Sequence, residues 1–406
     1  MSLLGAINIG VSGMNAYSDG LQIISNNVSN LNTLGYKAET VNFNDIYNSG
    51  GGGLTYLGAD AGSTGDGVRI DPKRTDFSQG TLQQTGNALD LALKGSGFLV
   101  LQSDGQTYYA RTGSFAVGQD GYIALQGTPA GTSYHLAVLN SSNQATPVNV
   151  TADRTNPPVA TANVVLGDNL SSSATTATVS NVTVYDSTGA SHTWILTLTP
   201  ATTGGVTGEA NWNVAVTDAT GASIGSGIVS FSGSTVDPST AKITIQNTPS
   251  GGAAPLSVVL DFSAVTSFSG GTTSTLQTTS VDGNASGSLS TVTVNATGDV
   301  ILTYSNNQTK SLGPVAVAEF ADPQALKNIG GGLYQNNTNA RYSLLTSGSG
   351  NAGTVTSSQL ETSNVNLTQE FGDLILIQRG YQASSEIISA SNDMIQQLFG
   401  IRGLTG

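Results

Sequence analysis

The chain has no cysteine, only two histidines and few charges. Charged residues fill 10% of its 406 positions, well under the usual quarter. Without cysteine there is neither a disulfide framework nor a thiolate zinc centre. His135 and His192 stand far apart in strand-like surroundings. No H-E-x-x-H pair or EF-hand loop accompanies them, so a metal has no anchor and no cofactor is expected. No stretch approaches the roughly 18 apolar residues of a membrane span. The residues before Lys37 carry no positive charge, and their apolar members are spaced apart, so a cleaved secretory signal is not expected. Basic residues are scarce in the middle: between Arg154 and Lys310 only Lys242 faces eight acids. With a net charge of −13, such a surface repels phosphate, which makes nucleic acid and anionic membranes poor partners.

Catalytic patterns are equally sparse. Gly221-Ala-Ser223-Ile-Gly225 matches the G-x-S-x-G elbow, but a strand-like run follows it, and no histidine lies beyond Ser223. The acids are too scattered for a glycosidase pair. No catalytic, cofactor or metal residue is assigned, and the chain is not expected to be an enzyme.

What is present concentrates at the two ends. Leu3, Ile7, Gly10, Met14, Tyr17, Leu21, Ile24, Val28 and Leu31 recur at alternating steps of four and three, which predicts a helix with a heptad seam. Over 3–31 that helix would be about 42 Å long. It carries Gly5, Gly10, Gly13 and Gly20, each costing roughly 1 kcal/mol relative to alanine, so it needs a partner to be stable. The segment Asn26–Lys37 should end it, with Gly35 as the exit. A second helix is predicted from Leu367 to Ile401, with Leu367, Phe371, Leu374, Tyr381, Ile388, Ile395 and Leu398 on one face. Ser363, Asn364 or Thr368 would cap it. Ile375, Ile377, Ile387 and Met394 widen its apolar surface beyond one stripe, so it should touch more than one neighbour. Periodicity alone leaves open a simple two-helix stalk within one molecule.

Between the ends the apolar period falls to two. Phe98-Leu-Val-Leu, Tyr122-Ile-Ala-Leu, Trp194-Ile-Leu-Thr-Leu, Trp212-Asn-Val-Ala-Val and Val300-Ile-Leu-Thr-Tyr read as strands. Asp104-Gly105, Asp120-Gly121, Asp186-Ser-Thr-Gly189 and Asn295-Ala-Thr-Gly298 punctuate them. The expected fold is mainly β with terminal α-helices: the helices form a coiled-coil-like inner core, and two nested antiparallel β domains lie between them. The expected division is 1–32 with 366–406 as helical assembly domain, and 33–70 with 350–365 as extended connector. An inner β domain takes 71–148 and 285–349, and an outer one takes 149–284. The glycines from Gly50 to Gly53 mark a loop in the connector.

Two clusters carry a family resemblance. Asn26-Asn-Val-Ser-Asn-Leu-Asn-Thr-Leu-Gly-Tyr-Lys37 is similar to the N-terminal signature of bacterial flagellar rod and hook proteins. Leu360-Glu-Thr-Ser-Asn-Val-Asn-Leu-Thr-Gln-Glu-Phe371 and Gln378-Arg-Gly-Tyr-Gln-Ala-Ser-Ser385 are similar to their C-terminal one. Phe77-Ser-Gln-Gly-Thr-Leu and Tyr109-Ala-Arg-Thr-Gly-Ser-Phe resemble that family's first β domain. Length and the inserted second β domain place the chain on the hook side of the family. The resemblance implies a structural subunit that polymerises with itself into a flexible tube, a universal joint carrying torque from rod to filament. Its assembly interface would comprise the seam residues named above. It implies contacts with a distal rod protein, hook cap and hook–filament junction proteins, and export to the cell exterior through the flagellar type III apparatus. A distal rod subunit is the alternative within the family. A secreted β-sandwich hydrolase or adhesin is the alternative outside it.

Overall fold

The computed structural model describes residues 3–45, 67–71, 73–129, 131–249 and 253–403. The Gly50 to Gly53 loop lies outside these residues. Two helices close the ends: α1, Leu3–Ser29, and α2, Leu367–Gly403. Everything described between them is strand, turn or short 3-10 helix. The chain is mainly β with terminal helices.

Two compact units divide it. The first comprises Met1–Thr151, Val292–Ile301 and Ser311–Gly406; the second comprises Ala152–Thr291 and Leu302–Lys310. In the first unit the central strand Phe98–Ser103 shows why its sequence does not alternate: Phe98, Leu99, Val100 and Leu101 are all buried, so the strand is covered on both faces. It pairs antiparallel with Gln106–Ala110 through a two-residue turn in which Asp104 and Gly105 both adopt positive φ, 48° and 74°. That conformation is the hairpin turn for which Asp-Gly is suited. Phe98, Tyr109, Phe320 and Tyr334 pack as an aromatic cluster, with Tyr109 edge-on to Phe320 at 4.8 Å.

The second unit alternates cleanly. Trp194, Leu196 and Leu198 point into one core with Trp212, Val214 and Val216 from the neighbouring strand. Leu256, Val258, Leu260 and Phe262 belong to the same core. Its nine-stranded sheet is antiparallel except for one ladder, in which Asn163–Asn169 runs parallel to Leu256–Thr266. This ladder departs from the expected all-antiparallel pairing, because the two strands are joined through the rest of the unit and not by a hairpin.

A recurrent turn joins several strands. Asp186, Asp218 and Asn295 each accept backbone N–H bonds from the residues two and four positions on, and a hydroxyl bond from the threonine two positions on. Gly189, Gly221 and Gly298 follow with φ of 85°, 87° and 84°. Side-chain mimicry of a backbone turn explains why Asp/Asn-x-Thr-Gly recurs. Gly221 is therefore a turn residue, and Ser223 opens a strand, Ser223–Ser232. His192 bonds Asp186 Oδ2 at 2.9 Å, and His135 stacks on Tyr122 at 4.3 Å. Both histidines have local structural partners.

Candidate assembly interface

The α1 helix packs along α2, and the seam between them runs one position N-terminal to the expected one on α1. Gly13, Ala16, Gly20, Ile23 and Asn27 are buried, at steps of three and four. Of the expected set, Gly10 and Ile24 are buried; Ile7, Met14, Tyr17, Val28 and Leu31 are half-buried; Leu21 is exposed. On α2 the buried positions are Glu370, Ile377, Ser384 and Ser391, seven apart. Leu374, Ile388 and Ile395 are half-buried between them, whereas Leu367, Phe371 and Tyr381 are exposed. Leu3 and Leu398 lie on the helices, but their side chains fall outside the described set.

Size explains the offset. A Cβ on Gly13 would sit 2.6 Å from Ser384 Oγ, and one on Gly20 would sit 2.8 Å from Ile377 Cδ1. On Gly380 it would meet the Tyr17 ring at 2.3 Å. Glycine, alanine and serine bring the two backbones together, a role that a search for large apolar residues overlooks. Leu31 leaves the seam and packs on Tyr36, Ala38 and Val365. The Tyr17 ring also meets Phe43 at 5.1 Å, and the strand Val68–Ile70 lies against α1.

At the root of the helix pair the two terminal sequence clusters meet. Asn27 donates to the Glu39 carbonyl and to Glu370 Oε1, and accepts from the Tyr36 hydroxyl and the Glu39 N–H. All four hydrogen-bonding positions of this buried amide are filled. Burial pushes the Glu370 carboxyl up, against the Asn27 bond. Burial, with Glu39 and Glu370 nearby, pushes the Tyr36 phenol up to about 12. The α2 N-cap is Asn366, whose Oδ1 accepts from the N–H groups of Thr368 and Gln369 at 3.1 and 3.4 Å. It thus replaces the expected Ser363, Asn364 or Thr368. Asn364 instead bonds across to the Ala38 N–H and to the carbonyls of Asp76 and Ser78.

Beside this network lies a buried ion cluster. Lys37 Nζ donates to Glu361 Oε1 at 2.7 Å, and both side chains are fully buried. Arg111 Nε is 3.6 Å from Glu361 Oε2, and the guanidinium lies over the Phe98 ring. Burial depresses both Lys37 and Arg111 against the pull of Glu361. Nothing in residue spacing pointed to this pairing of positions 37 and 361; the signal was the concentration of both in the terminal signatures.

The outward side of α2 is unlike that of a solvated helix. Phe371, Ile375 and Phe399 on one flank are 50%, 60% and 68% exposed; Leu376, Ile387 and Met394 on the other are 69%, 44% and 47% exposed. Arg379, Glu386 and Asp393, seven apart, lie between them, and the exposed Gln378, Gln382, Ser385, Ser389 and Asn392 interrupt the first flank. Among the described residues, no group of three or more His, Asp or Glu side chains is placed to hold a metal, and no helix is long and apolar enough to cross a membrane.

Residues 7–37 match the family described as flagella basal body rod protein, and residues 356–401 match the C-terminal family of flagellar basal body rod FlgEFG proteins. These are the segments that form the helix pair and its root. Over 98% of its length the chain is 30% identical to the whole of the flagellar hook protein FlgE of Escherichia coli. The chain belongs to the flagellar hook protein FlgE family. FlgE of Rhizobium meliloti is also 30% identical, over 99% of this chain and all of the relative. The crystal structure of Helicobacter pylori flagellar hook protein FlgE2 covers 69% of this chain and 99% of its own, with 13% identity and a TM-score of 0.49. The alignments with the two FlgE relatives, over 98% and 99% of this chain, span both units and both helices.

Proposed function

We propose that this chain is a hook subunit that polymerises with copies of itself into the flexible tube joining rod and filament. The observation that carries the reading is the set of large apolar side chains exposed on α2, Phe371, Ile375, Leu376, Ile387, Met394 and Phe399, after α1 has covered its inner face. Large apolar side chains exposed in this number on one helix favour burial against neighbours. A head-to-tail contact through such side chains, with a rotation that does not close a ring, propagates as a helical array.

In the tube the helix pair forms the inner wall through the seam and flank residues, and the connector lies around it. The role is structural, not catalytic. Torque passes through the helical contacts, while the weakly charged second unit exchanges contacts as the tube bends, because few ion pairs must break at each step. The subunit works outside the cell after passage through the flagellar export apparatus. It meets the distal rod at one end of the tube, the cap during growth, and junction proteins at the other end.

Electron microscopy of the concentrated chain tests this reading. Curved tubes are expected from the natural sequence and none from Ile375→Asp. Straight, rigid tubes would assign the chain to the distal rod instead, and a chain that stays monomeric under polymerising conditions would refute self-assembly.

A further inference from the structure

Glu361 is the meeting point of four segments. Its carbonyl accepts from the Gly35 N–H at the exit of α1, and its own N–H donates to Thr112 Oγ1 in the β region. Its carboxylate accepts from Gly80 N–H at 2.7 Å and from Lys37, and it faces Arg111. Lys37 also donates to the Ser78 carbonyl at 2.5 Å, and the Arg111 guanidinium donates to the carbonyls of Gly95 and Gly97. Six residues beyond Glu361, α2 begins.

This cluster is poorly composed for stability. Two buried cations share one carboxylate, and among the described residues Arg111 Nε and Glu361 Oε2 have no hydrogen-bond partner. Buried ion clusters of this kind contribute little beyond well-packed apolar residues, yet their directional bonds restrict geometry. Direction matters here because both helices leave from this point. At about 1.5 Å per residue α2 is roughly 55 Å long, so a tilt of about 5° at its root shifts its far end by about 5 Å. That shift is a large fraction of the spacing of about 8–10 Å between packed helices.

We propose that Glu361, with Lys37 and Arg111, is a positioning cluster. It fixes the direction in which the helix pair leaves the first β region, and through it the helical geometry of the tube. The link to tube geometry rests on the hook-subunit reading; the fixing of direction is a property of the single chain.

The cysteine-free sequence permits a direct test. Spin labels at Ser389→Cys on α2 and Ser141→Cys in the β region report the distance distribution between them in the full-length monomer, and microscopy reports the tubes. One variant carries Lys37→Met, Arg111→Met and Glu361→Leu. A second, Lys37→Met with Glu361→Gln, keeps the net charge of the cluster. Retained cooperative melting, with a distribution clearly broader than the natural one and tubes of mixed curvature, is the expected result. A natural width with natural tubes, in either variant that folds, overturns the proposal. Loss of the fold in both variants overturns it too, since the cluster would then serve stability. If the natural chain formed no tubes, the functional reading would fall while the distances still judged the joint.

Discussion

In the second unit Trp194, Trp212, Phe231 and Phe262 point inward and are almost wholly buried. In the helix pair Phe371, Ile375, Leu376 and Phe399 remain outside, while Gly13, Ala16, Gly20, Ser384 and Ser391 form the inside together with Ile23 and Ile377. One region has satisfied its large apolar side chains within a single molecule. The other closes its intramolecular contact with small residues and a few isoleucines, and holds several of its largest side chains in reserve. Apolar content alone does not distinguish a finished core from an unfinished one; the location of the large side chains does.

That contrast can be broken at several points, taken from the largest expected effect on subunit stability to the smallest. Trp194→Ala should destabilise the second unit by about 3–5 kcal/mol, read by denaturant unfolding, and leave hydrogen exchange in α1 unchanged. Gly380→Val should cost about 1–3 kcal/mol, because its Cβ would enter the Tyr17 ring. Faster exchange along α1, with no change in the second unit, is the signature. Leu376→Glu should alter stability by no more than about 0.5 kcal/mol while abolishing tube formation in microscopy. If it destabilised the monomer as Gly380→Val does, the flank would be part of the intramolecular packing.

Acid separates the two regions by sign. The Glu370 carboxyl is raised above its ordinary 4.5 by burial. The folded root therefore binds its proton at higher pH than the unfolded chain does. This contribution is fully present below about pH 4.5 and is lost as pH rises through the folded value. Asp186 is held well below its ordinary 3.8 by the His192 and Thr188 bonds, and Asp218 is held down by Thr220. Their contribution is present above pH 3.8 and falls away below it. Lowering the pH from neutrality to about 4.5 should thus raise exchange protection, relative to the free-peptide rate at the same pH, around Asn27 and Glu370. Further acidification should weaken the second unit first, as followed by its tryptophan fluorescence.

The β regions were largely legible in the sequence because alternation and Asp-Gly or Asp/Asn-x-Thr-Gly turns are local signals. The ends of α1 were legible too, through the Asn-rich segment before Gly35, which adopts φ of 67°. The seam was displaced by one residue, since periodicity weighs apolar bulk, and here close approach selects glycine and serine. Glu370 could not have been placed inside the seam from its residue type; it is admitted there because Asn27, 343 positions away, hydrogen-bonds it. The Lys37–Glu361 pair is invisible to local pattern for the same reason: its partners are 324 positions apart. The parallel ladder between Asn163–Asn169 and Leu256–Thr266 likewise depends on long-range topology that turn signals do not encode.

The reserve of large side chains on α2 is most directly tested by chemical labelling. A single cysteine introduced at Leu376→Cys, now 69% exposed, should react readily with a maleimide in the monomer and become protected once tubes have formed. Equal reactivity in monomer and tube would contradict the claim that this flank is where the next copy binds.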